Sequence, residues 1–254
     1  MRIPAFAASA LFAALAFLLL PVLAGAQEPT LPTLTMQLAA GQAEPGQVSV
    51  LLEILFLLTV LSMAPAILLT MTSFTRIIIV FHFLRQAMGV QQVPPNQILA
   101  SLAIFMTLVI MMPVGTQVYD TALVPYMDEQ IGFQEALNRA QVPMRAFLFK
   151  HTREKDLSIF YSISNQPRPQ TKEDVNTMTL VAAYTISELK TGFQIGFLIY
   201  IPFLILDMVV ASILLSMGMM MLPPVMVSLP FKVLLFVMVD GWNLLVGSLV
   251  NTFH

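Results

Sequence analysis

Residues Thr191 to Met226 read TGFQIGFLIYIPFLILDMVVASILLSMGMMMLPPVM. The first part, Thr191 to Ser216, carries one charge, Asp207, and is longer than the ~20 apolar residues a membrane-spanning helix needs. The last part, Met217 to Met226, holds five methionines around Gly218, Pro223 and Pro224. Val225 to Val250 follows as a second apolar segment, with Lys232 and Asp240 inside it. A glycine and a proline pair between two apolar runs predict a helical hairpin. Backbone at membrane depth must satisfy its own hydrogen bonds, so the expected class is all-α, an integral membrane protein built of long helical hairpins.

The rest of the chain agrees. Of its 254 residues, 57% are apolar and 10% charged, against ~25% charged in a soluble domain. The net charge of −2 gives no basic bias toward nucleic acid. Cysteine is absent, which removes disulfides, thiolate catalysis and cysteine metal sites. Residues 54–75 and 86–119 are free of charge. They place two further spans, Val50 to Thr72 with Pro65 as a kink, and Ile98 to Val118 with Pro113 near its far end. The connection between them holds Arg76 and Arg85 and no acid, so the positive-inside rule assigns it to the cytoplasm, with both arginines as interfacial anchors.

The organisation expected from this pattern has five parts. Residues 1–26 read as a cleavable signal peptide: Arg2, an apolar stretch from Ala5 to Leu23, then Ala24-Gly-Ala26 as a cleavage site. A retained transmembrane helix is the other reading. Residues 27–49 form a proline-rich flexible leader, and 50–118 the first apolar helix pair. Residues 119–190 are a hydrophilic helical region with eight basic and nine acidic residues, placed outside the membrane because long loops translocate largely regardless of charge. Residues 191–254 are the second apolar pair with the methionine-rich turn. In the hydrophilic region, Pro143 is expected as the first residue of a helix. Thr171 to Asp174 resembles a capping box. The stripe Val175, Met178, Ala182, Ile186, Leu189 continues unbroken into the third apolar segment.

Enzymatic signatures are not evident. The histidines His82, His151 and His254 are scattered, and neither a glycine-rich phosphate loop nor a Gly-x-Ser-x-Gly elbow occurs. The chain therefore reads as a non-enzyme without cofactor or metal. Ionisable residues inside apolar segments are costly and mark function. In a hairpin, Asp207 and Lys232 differ in depth by only ~3 Å, at 1.5 Å per residue. They can pair within one chain or between neighbours, with Glu188 and Asp240 as other partners, or they can belong to a proton relay. The methionines have two readings. One is apolar filler. The other is a soft apolar constriction, since thioether chains repack cheaply and apolar rings block ions by dewetting.

Several long strings carry a resemblance: MTSFTRIIIVFHFLRQAMG, PPNQILASLAIFMT, RAFLFKHTREKDLSIF, SELKTGFQIGFLIYIPFLILDMVVASILLSMGMMMLPP and LPFKVLLFVMVDGW. Over residues 50 to 250 the chain resembles the FliP family of flagellar biosynthetic proteins, which is similar to the SctR-type proteins of injectisomes. The resemblance implies the core of a type III export gate, in which a pentamer assembles with FliQ and FliR into a helical pore-forming ring, with FlhB and FlhA nearby. Unfolded flagellar subunits would pass through it. By the same resemblance Met219, Met220 and Met221 match a methionine gasket. Phe147 and Phe160 match lumen-facing phenylalanines, Glu188 a gate-associated residue, and Lys232 an inter-subunit contact. The implied location is the bacterial inner membrane, within the flagellar basal body, with the assembled core lifted toward the periplasm. The alternatives are an injectisome homologue and an ion-coupled secondary transporter using Asp207, Glu188 or Asp240.

Overall fold

The computed structural model describes residues 54–253, apart from 57, 60, 91–92, 164–168 and 220. The expected signal peptide, the expected leader and Met220 lie outside the described residues. So do most of the NQPRPQ breaker and His254. Everything described is helix, turn or loop, with no strand among the described residues. The helices are α1 (Ala64–Met71), α2 (Phe74–Met88), α3 (Asn96–Val118), α4 (Val124–Met127), α5 (Phe133–His151), α6 (Glu154–Ile163), α7 (Thr177–Ser216), α8 (Pro224–Met238) and α9 (Gly241–Asn251). A π-helical turn, Tyr119–Leu123, joins α3 to α4.

The organising element is α7. Its 40 residues make a rod about 60 Å long, roughly twice the hydrocarbon thickness of a bilayer. It starts where the Asn176 side chain accepts the Met178 backbone N–H at 2.8 Å, an N-cap that satisfies one orphan donor. The expected capping box lies upstream of this start. Its side chains do close on each other, with Thr171 N–H and Oγ1 both donating to Asp174 Oδ2 at 2.9 Å. But Val175 is drawn into the core and Asn176 is extended, which moves the helix start past the box. At the other end Gly218 adopts φ +75°. Its N–H donates to Leu215 O at 3.1 Å, and Met219 N–H donates to Leu214 O at 3.0 Å. That is a Schellman motif, and the left-handed residue explains the glycine. Pro224 then opens α8 at a position where a missing N–H costs nothing.

α7 packs most extensively on α2. The contact runs along one ridge of α7 at helical spacing: Leu180, Tyr184, Glu188, Gly192, Gly196 and Phe203, all buried. Gly192 and Gly196 let α2 approach closely. A Cβ on Gly192 would lie 3.2 Å from Ile79, and one on Gly196 would lie 2.5 Å from the Phe83 ring.

Two expectations about spans need correction. Asn96–Met127 and Thr177–Ser216 are single helical stretches long and apolar enough to cross a membrane. The first expected span was to end at Thr72, and there the chain turns by 74° from α1 into α2. The last expected span, Val225 to Val250, is broken and bends by 64° between α8 and α9. Residues 73–97, expected as a connection, are mostly α2. Ile77, Val80, Phe81 and Leu84 form its buried stripe, and Gly89 closes it in the left-handed conformation. The second bend sits at Asp240, itself at φ +51°. Edge contacts of Trp242 with Phe236 (5.5 Å) and Phe81 (6.4 Å) hold that corner. Pro143 is also displaced from its expected place. It is buried in the interior of α5, which begins ten residues earlier at Phe133 after the extended Gly132.

Candidate functional site

The apolar helices carry two ionic nodes, a partly buried one toward the methionine-turn end of α7 and a buried one in its first third. In the first, Lys232 Nζ on α8 donates to Asp207 Oδ2 on α7 at 2.6 Å and to Ala87 O at 3.0 Å. Ser228 Oγ, one turn before Lys232, donates to Asp207 Oδ1 at 2.5 Å. The lysine thus neutralises the carboxylate and also caps the carbonyl end of α2, where the helix dipole favours a cation. The pair forms within one chain. It is placed by spacing: Ser228, Lys232 and Phe236 lie four residues apart on the buried face of α8.

This geometry sharpens a charge-swap prediction. Lys232→Glu should impair folding and assembly, since it sets two acids together and turns one toward the Ala87 carbonyl. Adding Asp207→Lys should restore only part of the membrane abundance, because the carbonyl contact remains unfavourable. Complete failure of the double variant to recover would count against the pair.

The second node corrects the reading of Arg76 as an interfacial anchor. Arg76 is 3% exposed and Glu188 fully buried. Arg76 Nε donates to Glu188 Oε2 at 2.8 Å and Nη2 to Oε1 at 2.5 Å, a bidentate fork. Arg76 Nη1 donates to Thr252 O at 3.1 Å and Thr252 Oγ1 at 2.9 Å, and the guanidinium carbon lies 3.9 Å from the Phe253 ring centroid. A signal was present in the sequence, because Arg76 precedes Val80 and Leu84 by four and eight residues on the apolar stripe. Arg85 remains at the edge of the structure, bonded to Asn96.

Neighbouring polar groups extend the second node toward α6. Ser187 Oγ donates to the buried Asp156 at 2.7 Å and accepts the Arg153 N–H at 3.1 Å. Phe147, expected in a lumen, is buried within the single chain. It packs on Tyr184, on His151 (4.8 Å) and nearly parallel to Phe253 (6.5 Å). Phe160 is half-buried on α6. Burial, with Arg76 and Lys150 close by, lowers the His151 pKa from 6.5 to about 4. That imidazole is neutral at ordinary pH.

The methionine turn differs in character. Met219 is half-buried and Met221 is 97% exposed, so Met221 makes almost no contact within its own chain. Gly218, Pro223 and Pro224 shape this turn, at the far end of a stiff rod from the hydrophilic helices.

The FliP family model matches residues 57–249. The chain belongs to the FliP family. Relatives that are each named flagellar biosynthetic protein FliP align over most of their length. The Bacillus subtilis (strain 168) protein is 54% identical over 211 residues, covering 83% of this chain and 96% of its own. The Pectobacterium carotovorum protein is 51% identical over 202 residues, covering 80% and 78%. The Caulobacter vibrioides protein is 44% identical over 242 residues, covering 95% and 88%. Family membership makes this chain a flagellar biosynthesis protein, consistent with a component of the export apparatus. Its apolar helices suit the inner membrane. All the nodes described here lie within the matched FliP region except Thr252 and Phe253.

Proposed function

We propose that the chain is a core pore subunit of the flagellar type III export gate, and that Met219, Met220 and Met221 form its seal. Copies of the chain, a pentamer, would assemble with FliQ and FliR beside FlhB and FlhA. Unfolded flagellar subunits would pass the inner membrane through the shared lumen, with the core facing the periplasm after the signal peptide is removed. The observation that carries this reading is the exposure of Met221 at the tip of the α7–α8 hairpin. Large apolar side chains at a tip gain little from their own fold. A ring of such tips gives each one partners across an axis, and a ring of thioethers can close dry or deform around a passing chain.

The transporter reading loses support from the ionic nodes. Asp207 is held by Lys232 and Ser228, and Glu188 by Arg76, so neither is an open ion site. The flagellar names of the relatives favour a flagellar over an injectisome role.

The test is permeability. Replacing Met219, Met220 and Met221 together by alanine, in cells expressing the chain with its partners, should make the inner membrane leak small ions. A single Met→Leu change should do little, since size and apolarity survive. A triple variant that leaves permeability unchanged would overturn the seal.

A further inference from the structure

The turn after α9 sits where four elements meet. Phe253 is 4% exposed. Its ring lies under the Arg76 guanidinium from α2, stacks on Phe147 of α5 and meets the edge of His151 at 5.3 Å. Lys150 Nζ donates to the Phe253 carbonyl at 3.1 Å. Thr252 takes two of the four donated bonds of Arg76, the other two going to Glu188 on α7. Without this turn, buried guanidinium donors lose their acceptors and one face of the ion pair opens to water. The charged groups that face the turn are Arg76, Lys150 and, through Arg76, Glu188.

The same bent segment is fixed at its other end. Lys232 ties α8 to α7 and α2. The corner at Asp240 separates the two anchors. α8–α9 is therefore a bracket pinned at both ends across the α2–α7 pair. Apolar packing alone tolerates sliding. A carbonyl and a hydroxyl that both accept from one buried arginine do not.

We propose that Thr252 and Phe253 are positioning residues of the gate: they close the Arg76–Glu188 node and so fix α7, the rod that presents the methionine turn, against α2. The inference rests on the gate reading for its functional consequence, but its geometry can be tested separately.

Because the chain has no cysteine, a Leu249→Cys probe on α9 gives a unique label site in this chain, read on its own band after labelling the full chain with its partners. Leu249 is 1% exposed, so maleimide should barely react. Phe253→Ala should raise labelling about tenfold, equal to about 1.4 kcal/mol in the opening equilibrium. At matched membrane abundance it should also lower the amount of exported flagellar subunits. A gentler pair guards against simple misfolding. Thr252→Val keeps the shape and loses the hydroxyl acceptor, so export should fall. Thr252→Ser keeps the hydroxyl and should export normally. Unchanged labelling in Phe253→Ala, or a Thr252→Ser variant as defective as Thr252→Val, would overturn the proposal. If the methionine variants fail to leak while Phe253→Ala still raises labelling, the seal fails and the positioning role stands.

Discussion

Glu188→Ala should strip the protein from the membrane fraction, or lower its melting temperature in detergent by on the order of 10 °C. The cause is electrostatic. Arg76 is almost fully enclosed, and Glu188 supplies its compensating charge through two hydrogen bonds. Removing one member of a buried pair leaves an uncompensated charge and typically costs about 3–5 kcal/mol. In a chain of this size, each kcal/mol moves the melting temperature by about 2–4 °C. The companion experiment separates charge from packing. Arg76→Leu with Glu188→Leu removes both charges and should recover part of the loss, since an apolar replacement of a buried pair is often neutral. Glu188→Ala with undiminished abundance and melting temperature would mean that the pair contributes nothing.

Gly196→Leu should be comparably damaging, for a steric reason. Even the first added atom, the Cβ, would fall 2.5 Å from Phe83 Cγ and 2.8 Å from Phe83 Cβ. The second of these cannot swing away by rotation of the ring, so α2 and α7 must separate. Overpacking usually costs about 1–3 kcal/mol, and here it also strains the ionic nodes along the same ridge. Gly247→Ala is the control. Nothing lies within 4 Å of a Cβ placed there, and alanine suits a helix interior better by roughly 0.5–1 kcal/mol. Equal stability of the Gly196 and Gly247 variants would refute close packing of α2 on α7.

Much of this fold is readable from the chain as written. Charge-free runs give the apolar helices, and Gly218 with Pro223 and Pro224 gives the hairpin turn. Matched depth brings Asp207 to Lys232 within the chain. The bends are less legible. α8 and α9 read as one apolar segment with Lys232 and Asp240 inside it, and the corner arises from aromatic contacts of Trp242 and a left-handed Asp240 that only the assembled helices can hold. The buried arginine is hidden for a similar reason. A lone basic residue beside an apolar run satisfies the anchor rule equally well, and its partner Glu188 is 112 residues away. Among the gate candidates, the exposure of Met221 follows from its place at a tip. The burial of Phe147 depends on Phe253, which the residue pattern does not link to it.

That separation in sequence has a consequence in time. Arg76 finds its carboxylate 112 residues later and its last acceptors 176 residues later. At about 5–20 residues per second, translation alone holds Arg76 without its full set of partners for roughly 9–35 s. A half-made chain therefore carries a charge that water, lipid headgroups or an insertion factor must shelter. The node closes only when Phe253 has left the ribosome. In the newborn membrane protein, the central rod is therefore made well before the turn that locks it.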